Sequence, residues 1–464
     1  MKIHEFNMNS HMREGLDSPQ VLEKLAANGF RFDYRLDAFQ DEQYQYFGFN
    51  AKRVEAQKLT EIEGAIEVYL EEIGDFKIAH MDLPLVVGTV PYEMAADFMK
   101  ISFDVMPMGH VFLSHIVLCI SKKTDEAYLV LVDKITDEAF HDEITSPFLN
   151  LLKDSTDFLI QSDLKKAKEI FSHQSASSVI KHSERSVDLA GKGISQSTYR
   201  EKIKAVLENI EAGEIFQMVL AEKMELPYSG KAISYYLQGV KETEPAYAAF
   251  LEVEGGLSVT SPELLVRYDS ETVITKPIAG TRGIKCDGRD FERIEELQRD
   301  EKEAAEHLML VDLGRNDLSK VCKAGTVEVT RYKYPLILKH VAHLVSDVEG
   351  KRAFKRFFDP LRAVFPAGTV SGAPKLRAME LIKDIEARQR GIYGGAVYVY
   401  SSRGRFESCI AIRCATFDEK SVILQVGSGI VHDSNAEDEL KELMNKIRGN
   451  LKTYERMEAD VSFD

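Results

Sequence analysis

The sequence lacks the features that would place the chain in a membrane or outside the cell. Its 464 residues contain no apolar run approaching the length of a membrane span. The opening residues, MKIHEFNMNSHMREGLD, lack the apolar core of a secretory signal. We therefore expect a soluble, cytoplasmic protein with no membrane partner.

Cysteine and positive charge are also in short supply. The five cysteines are odd in number and none belongs to a Cys-x-x-Cys pair, which fits reduced thiols better than disulfides or a zinc site. Lysine and arginine number 59 against 75 acidic residues, so the net charge is −16. This charge argues against nucleic acid and anionic membranes as partners.

The length suits two or three domains, or one large layered domain with an appendage. We predict an N-terminal domain over residues 1–160, a polar linker rich in serine and lysine over 161–194, and a second domain over 195–455. No internal repeat is present.

Strand-like segments are frequent in both predicted domains, and several are separated by only a turn, which favours antiparallel sheets. We predict helices that begin near Ser197–Thr198 and that cover residues 289–310 and 373–385. Such helices would have to cover the faces of the sheets. The pattern therefore predicts an α+β fold.

Two segments each carry a pair of glutamates three residues apart. Glu303 and Glu306 lie in RDEKEAAEHLMLVDLGRNDLS, and Glu439 and Glu442 lie in ELKELMNK. On a helix this spacing places both carboxylates on one face. Two such faces brought together would form an oxygen-rich site for a hard divalent cation, most naturally Mg²⁺. A single Glu-x-x-Glu in so charged a chain is more often a solvated helix face. Whether these pairs form a metal site is therefore judged from the surrounding motifs.

Six further motifs accompany the glutamate pairs: PIAGTR from Pro277, HVAHLVS from His340, FPAGTVSGAPKLRAMELI from Phe365, YGGAV from Tyr393, CIAIR from Cys409 and VGSGIV from Val426. In this order they resemble the chorismate-utilising enzymes, and most closely the anthranilate synthase large subunits. The resemblance is dense from about Ser197 to Leu451 and thin before Lys192. It implies a two-layered antiparallel β core wrapped by helices, with the active site between the sheets.

The same resemblance implies a reaction. Chorismate is aminated at C2, loses its 4-hydroxyl and eliminates pyruvate to give anthranilate, an intermediate of tryptophan biosynthesis. The hydroxyl is a poor leaving group, so a positioned acid is needed. Glu263 in SPELLV matches the family's acid. His343 matches a histidine associated with pyruvate elimination, and Thr369 and Thr281 match hydroxyl donors near the reacting ring.

Metal and substrate ligands are implied in the same way. Glu306 and Glu442 match direct Mg²⁺ ligands, and Glu303 and Glu439 match an outer pair that reaches the metal through water. The remaining positions match groups that bind the substrate: Arg413 and Lys446 for its carboxylates, Tyr393 as a hydrogen-bond donor, and Gly427 and Gly429 for close backbone approach.

Two positions distinguish members of the family. Isochorismate and salicylate synthases place a water-activating lysine where this chain has Gln217, which cannot act as a base. Many aminodeoxychorismate synthases place a nucleophilic lysine where this chain has Ala279. Without either lysine, ammonia should attack C2 directly.

Ammonia must come from elsewhere, because no cysteine stands in the G-x-C-x-G elbow of a class I glutaminase. The resemblance therefore implies a glutamine amidotransferase partner (component II).

The N-terminal domain departs from the family. Feedback-regulated relatives form a tryptophan pocket from LLES, G-R-Y-S and N-P-S-P-Y-M segments. Here only Pro245 and Tyr247 match, and Asp37 stands about where a serine is expected. Inhibition by tryptophan and the exact product are left open. The alternatives are an aminodeoxychorismate synthase component I, an aminodeoxyisochorismate synthase and, against the intact glutamates and Arg413, a non-catalytic chorismate-binding paralogue.

Overall fold

The computed structural model describes residues 2–7, 16–28, 30–39, 44–74, 82–99, 101–124, 126–132, 147–148, 150, 194–284, 287–338 and 341–461. The predicted linker lies outside these residues except for Ile194, as do His340 and Cys286. Within the described ranges, no helix combines the length and the apolar character needed to cross a membrane.

Strands occur throughout the described chain before residue 132 and after residue 216. In chain order they are β1 Lys2–Asn7, β2 Phe32–Ala38, β3 Tyr44–Phe49, β4 Lys52–Ala56, β5 Pro84–Val90, β6 Gly109–Leu113, β7 Ile116–Ser121, β8 Glu126–Leu131, β9 Gln217–Pro227, β10 Tyr247–Leu251, β11 Leu257–Ser261, β12 Leu264–Tyr268, β13 Thr272–Thr275, β14 Ile278–Gly283, β15 Glu328–Ile337, β16 Val341–Lys351, β17 Gly372–Ala373, β18 Ala396–Ser401, β19 Phe406–Ile410, β20 Cys414–Phe417 and β21 Ser421–Val431.

Helices connect the strands. They are α1 Pro19–Ala27, α2 Leu59–Ile73, α3 Gln196–Glu211, α4 Ala232–Thr243, α5 Asp290–Arg299, α6 Glu301–Ser319, α7 Asp359–Val364, α8 Lys375–Glu386 and α9 Ala436–Val461, with short 3₁₀ turns at Tyr92–Asp97 and Gly368–Val370.

The strands form two large sheets. The first has eleven strands in the order β1-β8-β7-β3-β2-β10-β11-β20-β21-β9-β17. The second has ten, in the order β14-β16-β13-β12-β19-β18-β5-β6-β4, with β15 also paired to β16. All strand pairs recorded among the described residues are antiparallel. The predicted α+β fold with an antiparallel two-layered β core is confirmed.

The two predicted domains contribute strands to the same sheets. In the first sheet β10 pairs with β2, with Phe250 opposite Arg35. In the second sheet β18 pairs with β5, with Val397 opposite Thr89. The strands that precede the predicted linker therefore extend both sheets of the second predicted domain.

The hydrophobic core joins the two sheets. Leu220 and Val426 from the first sheet belong to the same buried cluster as Val266 and Val397 from the second. Removing this apolar surface from water is the main force that holds the layers together.

The helices that carry the glutamate pairs begin close to those pairs. The helix predicted over 289–310 is divided into α5 and α6 at Asp300, whose carboxylate accepts the Glu303 N–H at 3.1 Å and so caps α6. Helix α9 is capped by Asn435, whose side-chain oxygen accepts the Asp438 N–H at 3.0 Å. Both glutamate pairs therefore lie in the first turns of their helices.

Candidate active site

Glu263 lies in the short connection between β11 and β12, where the chain passes from the first sheet into the second. The Ser261 hydroxyl accepts the Glu263 N–H at 3.2 Å, and the Glu263 carbonyl accepts the Ile410 N–H at 3.0 Å. Its carboxylate accepts a hydrogen bond of 2.8 Å from the Thr369 hydroxyl. The predicted acid is thus fixed through both its backbone and its side chain.

Burial dominates the ionisation of Glu263, whose side chain is almost closed off from solvent. It raises the pKa of Glu263 to about 7, against the opposing effects of the Thr369 hydrogen bond and of Lys446 and Arg413. A carboxyl with this pKa exists in both protonation states near neutral pH. It can therefore donate a proton under the conditions in which enzymes work.

Arg413 and Lys446 are the cations that face Glu263. Arg413 has a left-handed backbone, with φ of 52°, and its carbonyl accepts the Thr260 hydroxyl at 3.0 Å. Burial lowers the pKa of Arg413, whereas Tyr393, Glu263 and Glu442 favour its charged form. A non-glycine residue at positive φ is uncommon and costs free energy, so its surroundings must fix it there.

Lys446 connects helix α9 to the glycine-containing strand β21. Its ammonium lies 2.5 Å from a Glu442 carboxylate oxygen and donates to the Gly427 carbonyl at 3.3 Å. Glu442, a predicted metal ligand, is therefore in direct contact with Lys446, a residue predicted to bind the substrate.

Thr281 and His343 are brought together by the register of β14 and β16, which places them opposite each other. The His343 Nδ1 lies 3.1 Å from the Thr281 hydroxyl and 3.1 Å from the Gly280 carbonyl. A carbonyl can only accept, so Nδ1 carries the hydrogen in that contact and Nε2 is the basic nitrogen. Burial lowers the pKa of His343, and Arg413 and Lys446 act in the same direction. His343 is therefore a neutral base at neutral pH.

Two predicted site side chains lie over the glycines of β21. A Cβ atom on Gly427 would lie 2.9 Å from the Tyr393 hydroxyl, and one on Gly429 would lie 2.8 Å from the Gln217 amide nitrogen. Any larger residue at either glycine would displace these groups. Ala279, on β14, lies opposite Leu344, next to the Gly280 carbonyl that contacts His343.

The two glutamate pairs face each other between α6 and α9. Burial and Glu303 raise the pKa of Glu306, and Glu442 and Glu439 add to the rise from across the gap. Burial likewise raises the pKa of Glu439, and Glu442 adds to it. Carboxylates that repel one another in this way form a site of concentrated negative charge.

The donor set fits a divalent cation, although the side chains are not closed around one. Among the described residues, no three His, Cys, Asp or Glu side chains lie close enough together to hold a metal ion. However, Glu439 Oε2 is buried with no hydrogen-bond partner in the described part of the chain, while its Oε1 accepts the Ser434 hydroxyl at 2.6 Å. Carboxylate oxygens are the ligands that Mg²⁺ prefers, so the predicted metal ligands remain chemically suitable.

Sequence reasoning missed a buried arginine beneath this site. Arg390, in the segment RQRGIY, pairs with Glu386 and donates to the backbone carbonyls of Val370 and Val219. In sequence the segment is polar and precedes a double glycine, which is typical of an exposed turn. The available signal was weak: an arginine three residues before Tyr393.

A model of the chorismate binding enzyme family matches residues 18–452 of the chain. Anthranilate synthase component 1 of Aquifex aeolicus is 35% identical over 344 residues, which cover 72% of this chain and 69% of that protein. The same component of Streptomyces coelicolor is 42% identical over 271 residues, which cover 57% of this chain and 53% of that protein. The matched segment thus spans only about half the length of the Streptomyces relative.

Solved structures share the fold. Anthranilate synthase component I from Streptococcus pneumoniae superposes with a TM-score of 0.65 at 24% identity and covers 97% of this chain and 92% of its own. The menaquinone-specific isochorismate synthase of Escherichia coli gives a TM-score of 0.68 at 18% identity, with coverages of 97% and 94%. One architecture thus carries more than one reaction, so the choice of reaction depends on individual side chains.

Proposed function

The chain belongs to the chorismate binding enzyme family, and we propose that it is an anthranilate synthase component I. In this proposal it aminates chorismate at C2 with ammonia and eliminates pyruvate to give anthranilate. The observation that carries the proposal is the buried Glu263 carboxyl, whose pKa is about 7 and which faces Arg413 and Lys446.

Substrate binding has to overcome a net charge of −16, because chorismate is a dianion. Arg413 and Lys446 supply local positive charge for its carboxylates, and the Tyr393 hydroxyl provides a hydrogen-bond donor above Gly427. Four glutamates would hold Mg²⁺, with Glu306 and Glu442 as the direct ligands and Glu303 and Glu439 acting through water, and Lys446 contacts Glu442. When bound, this ion supplies positive charge that orients the ring carboxylate and draws electron density from the ring.

The proposed first step uses Glu263 as an acid. Ammonia forms a bond to C2, both ring double bonds shift, and the C4–oxygen bond breaks as Glu263 protonates the departing hydroxyl, which leaves as water. The added nitrogen then releases one proton, which restores the acid. In the second step His343 takes the proton from C2 through Nε2. The ring becomes aromatic as the enolpyruvyl C–O bond breaks, and the enolate released is protonated to pyruvate. The sum is chorismate plus ammonia to anthranilate, pyruvate and water.

The choice of ammonia rests on the absence of a lysine at two positions, one that would activate water and one that would act as a nucleophile. Gln217, buried in β9 against Gly429, has an amide that cannot deprotonate water, and Ala279 has no nucleophile. Ammonia is already a nucleophile and needs no base. We propose that a separate glutamine amidotransferase (component II) supplies it.

Product identification tests the proposal. The purified chain is incubated with chorismate, Mg²⁺ and an ammonium salt, and the products are separated and identified by mass and retention. We expect anthranilate and pyruvate in equal amounts, and no product when glutamine replaces ammonium. Aminodeoxyisochorismate or 4-amino-4-deoxychorismate would establish one of the alternative synthases, and no turnover from neutral to alkaline pH would favour the non-catalytic paralogue.

Substitution of Gln217 tests the nucleophile separately. A lysine at this buried position would have a depressed pKa and could deprotonate water. We expect Gln217→Lys to gain detectable isochorismate and lose ammonia-dependent activity, whereas the control Gln217→Met loses activity without that gain. Isochorismate formation by the wild-type protein without ammonia, at a rate comparable with its amination, would show that Gln217 does not set the nucleophile.

A further inference from the structure

Arg390 is the centre of a buried network beneath the candidate active site. Its side chain is 2% exposed and that of its partner Glu386 is 0% exposed. The guanidinium donates to Glu386 from Nε at 2.9 Å and from Nη2 at 2.5 Å. It also donates to the Val370 carbonyl at 2.5 Å and to the Val219 carbonyl at 2.9 Å. One planar group thus ties together the end of α8, the 3₁₀ turn Gly368–Val370 and strand β9.

Both carbonyls adjoin residues of the candidate site. Val370 directly follows Thr369, whose hydroxyl binds Glu263 at 2.8 Å. Val219 lies two residues after Gln217 on β9 and pairs in register with Gly429. The guanidinium therefore links the turn that carries Thr369, the partner of Glu263, to the strand that carries Gln217.

The backbone of Arg390 holds the segment that leads to Tyr393. Its N–H donates to a Glu93 carboxylate oxygen at 2.7 Å, and its carbonyl accepts the Gln425 amide at 2.8 Å and the Tyr393 N–H at 3.3 Å. The Arg390 guanidinium carbon lies 5.9 Å from the Tyr393 ring centroid. Tyr393 is thus supported from below through both its main chain and its ring.

Stability alone is a poor reason for such a pair. Burying two charges has a desolvation cost that their attraction often fails to recover, and an apolar pair of similar volume can be as stable or more so. Apolar groups, however, cannot bind two carbonyls and a carboxylate in fixed directions. The five donors of a guanidinium can, whereas the single ammonium of lysine cannot reach all three acceptors.

We propose that Arg390, held by Glu386, is a positioning residue that places Thr369 against Glu263 and strand β9 against Gly429. The inference rests on the proposed function to the extent that these residues form the site that turns over chorismate. Arg390 itself contacts backbone and side chains of the protein, so it acts through the residues that it holds.

A change at Arg390 would alter the pKa of Glu263 through the hydrogen bond from Thr369. Thr369, Lys446 and Arg413 are the groups that lower the pKa of Glu263 against the effect of burial. If the turn Gly368–Val370 relaxes and Thr369 moves away, the ionised carboxylate loses a donor and the pKa of Glu263 rises. Since Glu263 acts in its protonated form, the basic limb of the pH–rate profile should move to higher pH.

The test compares Arg390→Lys with Arg35→Lys. Arg35 is also a buried arginine bound by both oxygens of a carboxylate, Asp37, but it lies on β2 and contacts no candidate site residue. Crystal structures of both variants give the distance from Thr369 Oγ1 to the Glu263 carboxylate, and turnover of chorismate with ammonium gives kcat, KM and the pH profile. The double variant Arg390→Gln/Glu386→Gln, in which two neutral amides replace the ion pair, serves if Arg390→Lys does not fold.

We expect Arg390→Lys to break the Thr369–Glu263 hydrogen bond, to lower kcat about 10–100-fold as for other small misplacements of reacting groups, and to shift the basic limb upward, with KM changed less than kcat. Arg35→Lys should lower thermal stability but leave the Thr369–Glu263 hydrogen bond and the basic limb of the pH–rate profile unchanged. An intact Thr369–Glu263 bond in the Arg390 variants, or a limb shift equal to that of Arg35→Lys, would overturn the proposal. If the wild-type chain does not turn over chorismate, the proposed function fails, and the two crystal structures still decide whether Arg390 positions Thr369.

Discussion

Two buried carboxyl groups of this molecule have the same exposure and opposite ionisation behaviour. Glu263 and Asp37 are each 7% exposed. Burial raises the pKa of Glu263 to about 7, whereas the pKa of Asp37 lies below its ordinary value. The removal of water opposes the charge on both groups, so the difference must come from what each carboxyl touches.

Asp37 is surrounded by direct donors. Arg35 donates to both of its oxygens, at 2.7 and 2.9 Å, and Tyr236 and Gln45 each donate to it at 2.5 Å. Burial raises the Asp37 pKa, but the charge and hydrogen bonds of Arg35, together with the hydrogen bonds of Tyr236 and Gln45, outweigh it. Charge-assisted bonds of this kind are about twice as strong as neutral ones.

Glu263 accepts a hydrogen bond from one neutral donor, Thr369, and within the described residues neither Lys446 nor Arg413 donates a hydrogen bond to it. Lys446 instead contacts Glu442 and the Gly427 carbonyl. Without a cation bound directly to its carboxylate, Glu263 stays partly protonated near neutral pH. The directly bound arginine keeps Asp37 ionised, whereas Glu263, which has no directly bound arginine, can hold and donate a proton near neutral pH.

The comparison predicts that the same change, carboxyl to amide, has different consequences at the two sites. Glu263→Gln keeps a neutral group of the same shape that can still accept the Thr369 hydrogen bond, so the fold should persist. It removes the transferable proton, and general acid catalysis contributes roughly 10²–10⁴-fold. We expect kcat for chorismate with ammonium to fall by about that factor, with thermal stability equal to the wild type. Retention of more than half of the activity would show that Glu263 is not the acid.

Asp37→Asn should act on stability instead. The substitution leaves the buried Arg35 with only the part-exposed Asp17 as a counter-charge, and breaking a buried pair from one side costs up to about 3–5 kcal/mol of unfolding free energy. Denaturant unfolding measures the loss, while kcat per folded molecule should stay at the wild-type value. The double variant Asp37→Asn/Arg35→Met removes the stranded charge and should recover part of the stability. A drop in kcat without a drop in stability would contradict the comparison.

The short-range features of the fold could be predicted from the sequence. Strands separated by turns were recognised because alternation and punctuation are local, and SVILQVGSGIV coincides with β21. The helix predicted over 289–310 is broken because Asp300 caps α6, with Glu303 three residues later, a capping pattern that a uniformly charged helical stretch conceals. Local patterns cannot show that β5 joins β18 or β2 joins β10, because those contacts link distant parts of the chain.

The candidate site divides in the same way. Its residues were found through motifs, and the structure places Thr369 on Glu263, Thr281 beside His343 and Tyr393 over Gly427. The ionisation of Glu263 could not be predicted, because it depends on burial from distant strands. Arg390 could not be found either, since its partner Val219 is 171 positions away along the chain.

The glutamate pairs on α6 and α9 are a third kind of carboxylate, whose charge a bound metal ion would neutralise. Glu442→Gln removes one charged oxygen from the proposed inner ligands, and disrupted metal shells typically lose 10–100-fold in affinity or activity, so we expect a loss of about that size in the apparent Mg²⁺ affinity. Titration of activity and of binding heat with Mg²⁺ measures the effect. Glu437→Gln is the matched control, because this glutamate lies on the same helix but pairs with Arg200 at the surface. Equal Mg²⁺ dependence in the two variants would show that the glutamate pairs are solvated helix faces.

Thr369→Val provides the finest test, because it removes the single neutral donor of Glu263 and little else. The Thr369 hydrogen bond lowers the pKa of Glu263, so its loss should raise that pKa above the present value of about 7. One hydrogen bond is worth about 0.5–1.5 kcal/mol, and a pKa change of one unit corresponds to about 1.4 kcal/mol. The basic limb of kcat/KM should therefore move upward by about 0.4–1 pH unit, since the acid stays protonated to higher pH. Thr281→Val, which loses a hydroxyl that contacts His343 and not Glu263, should leave that limb in place. If the basic limb moves to lower pH in Thr369→Val, the hydroxyl stabilises the protonated form of Glu263. The explanation given for the different pKa values of Glu263 and Asp37 would then be wrong about the Thr369 hydrogen bond.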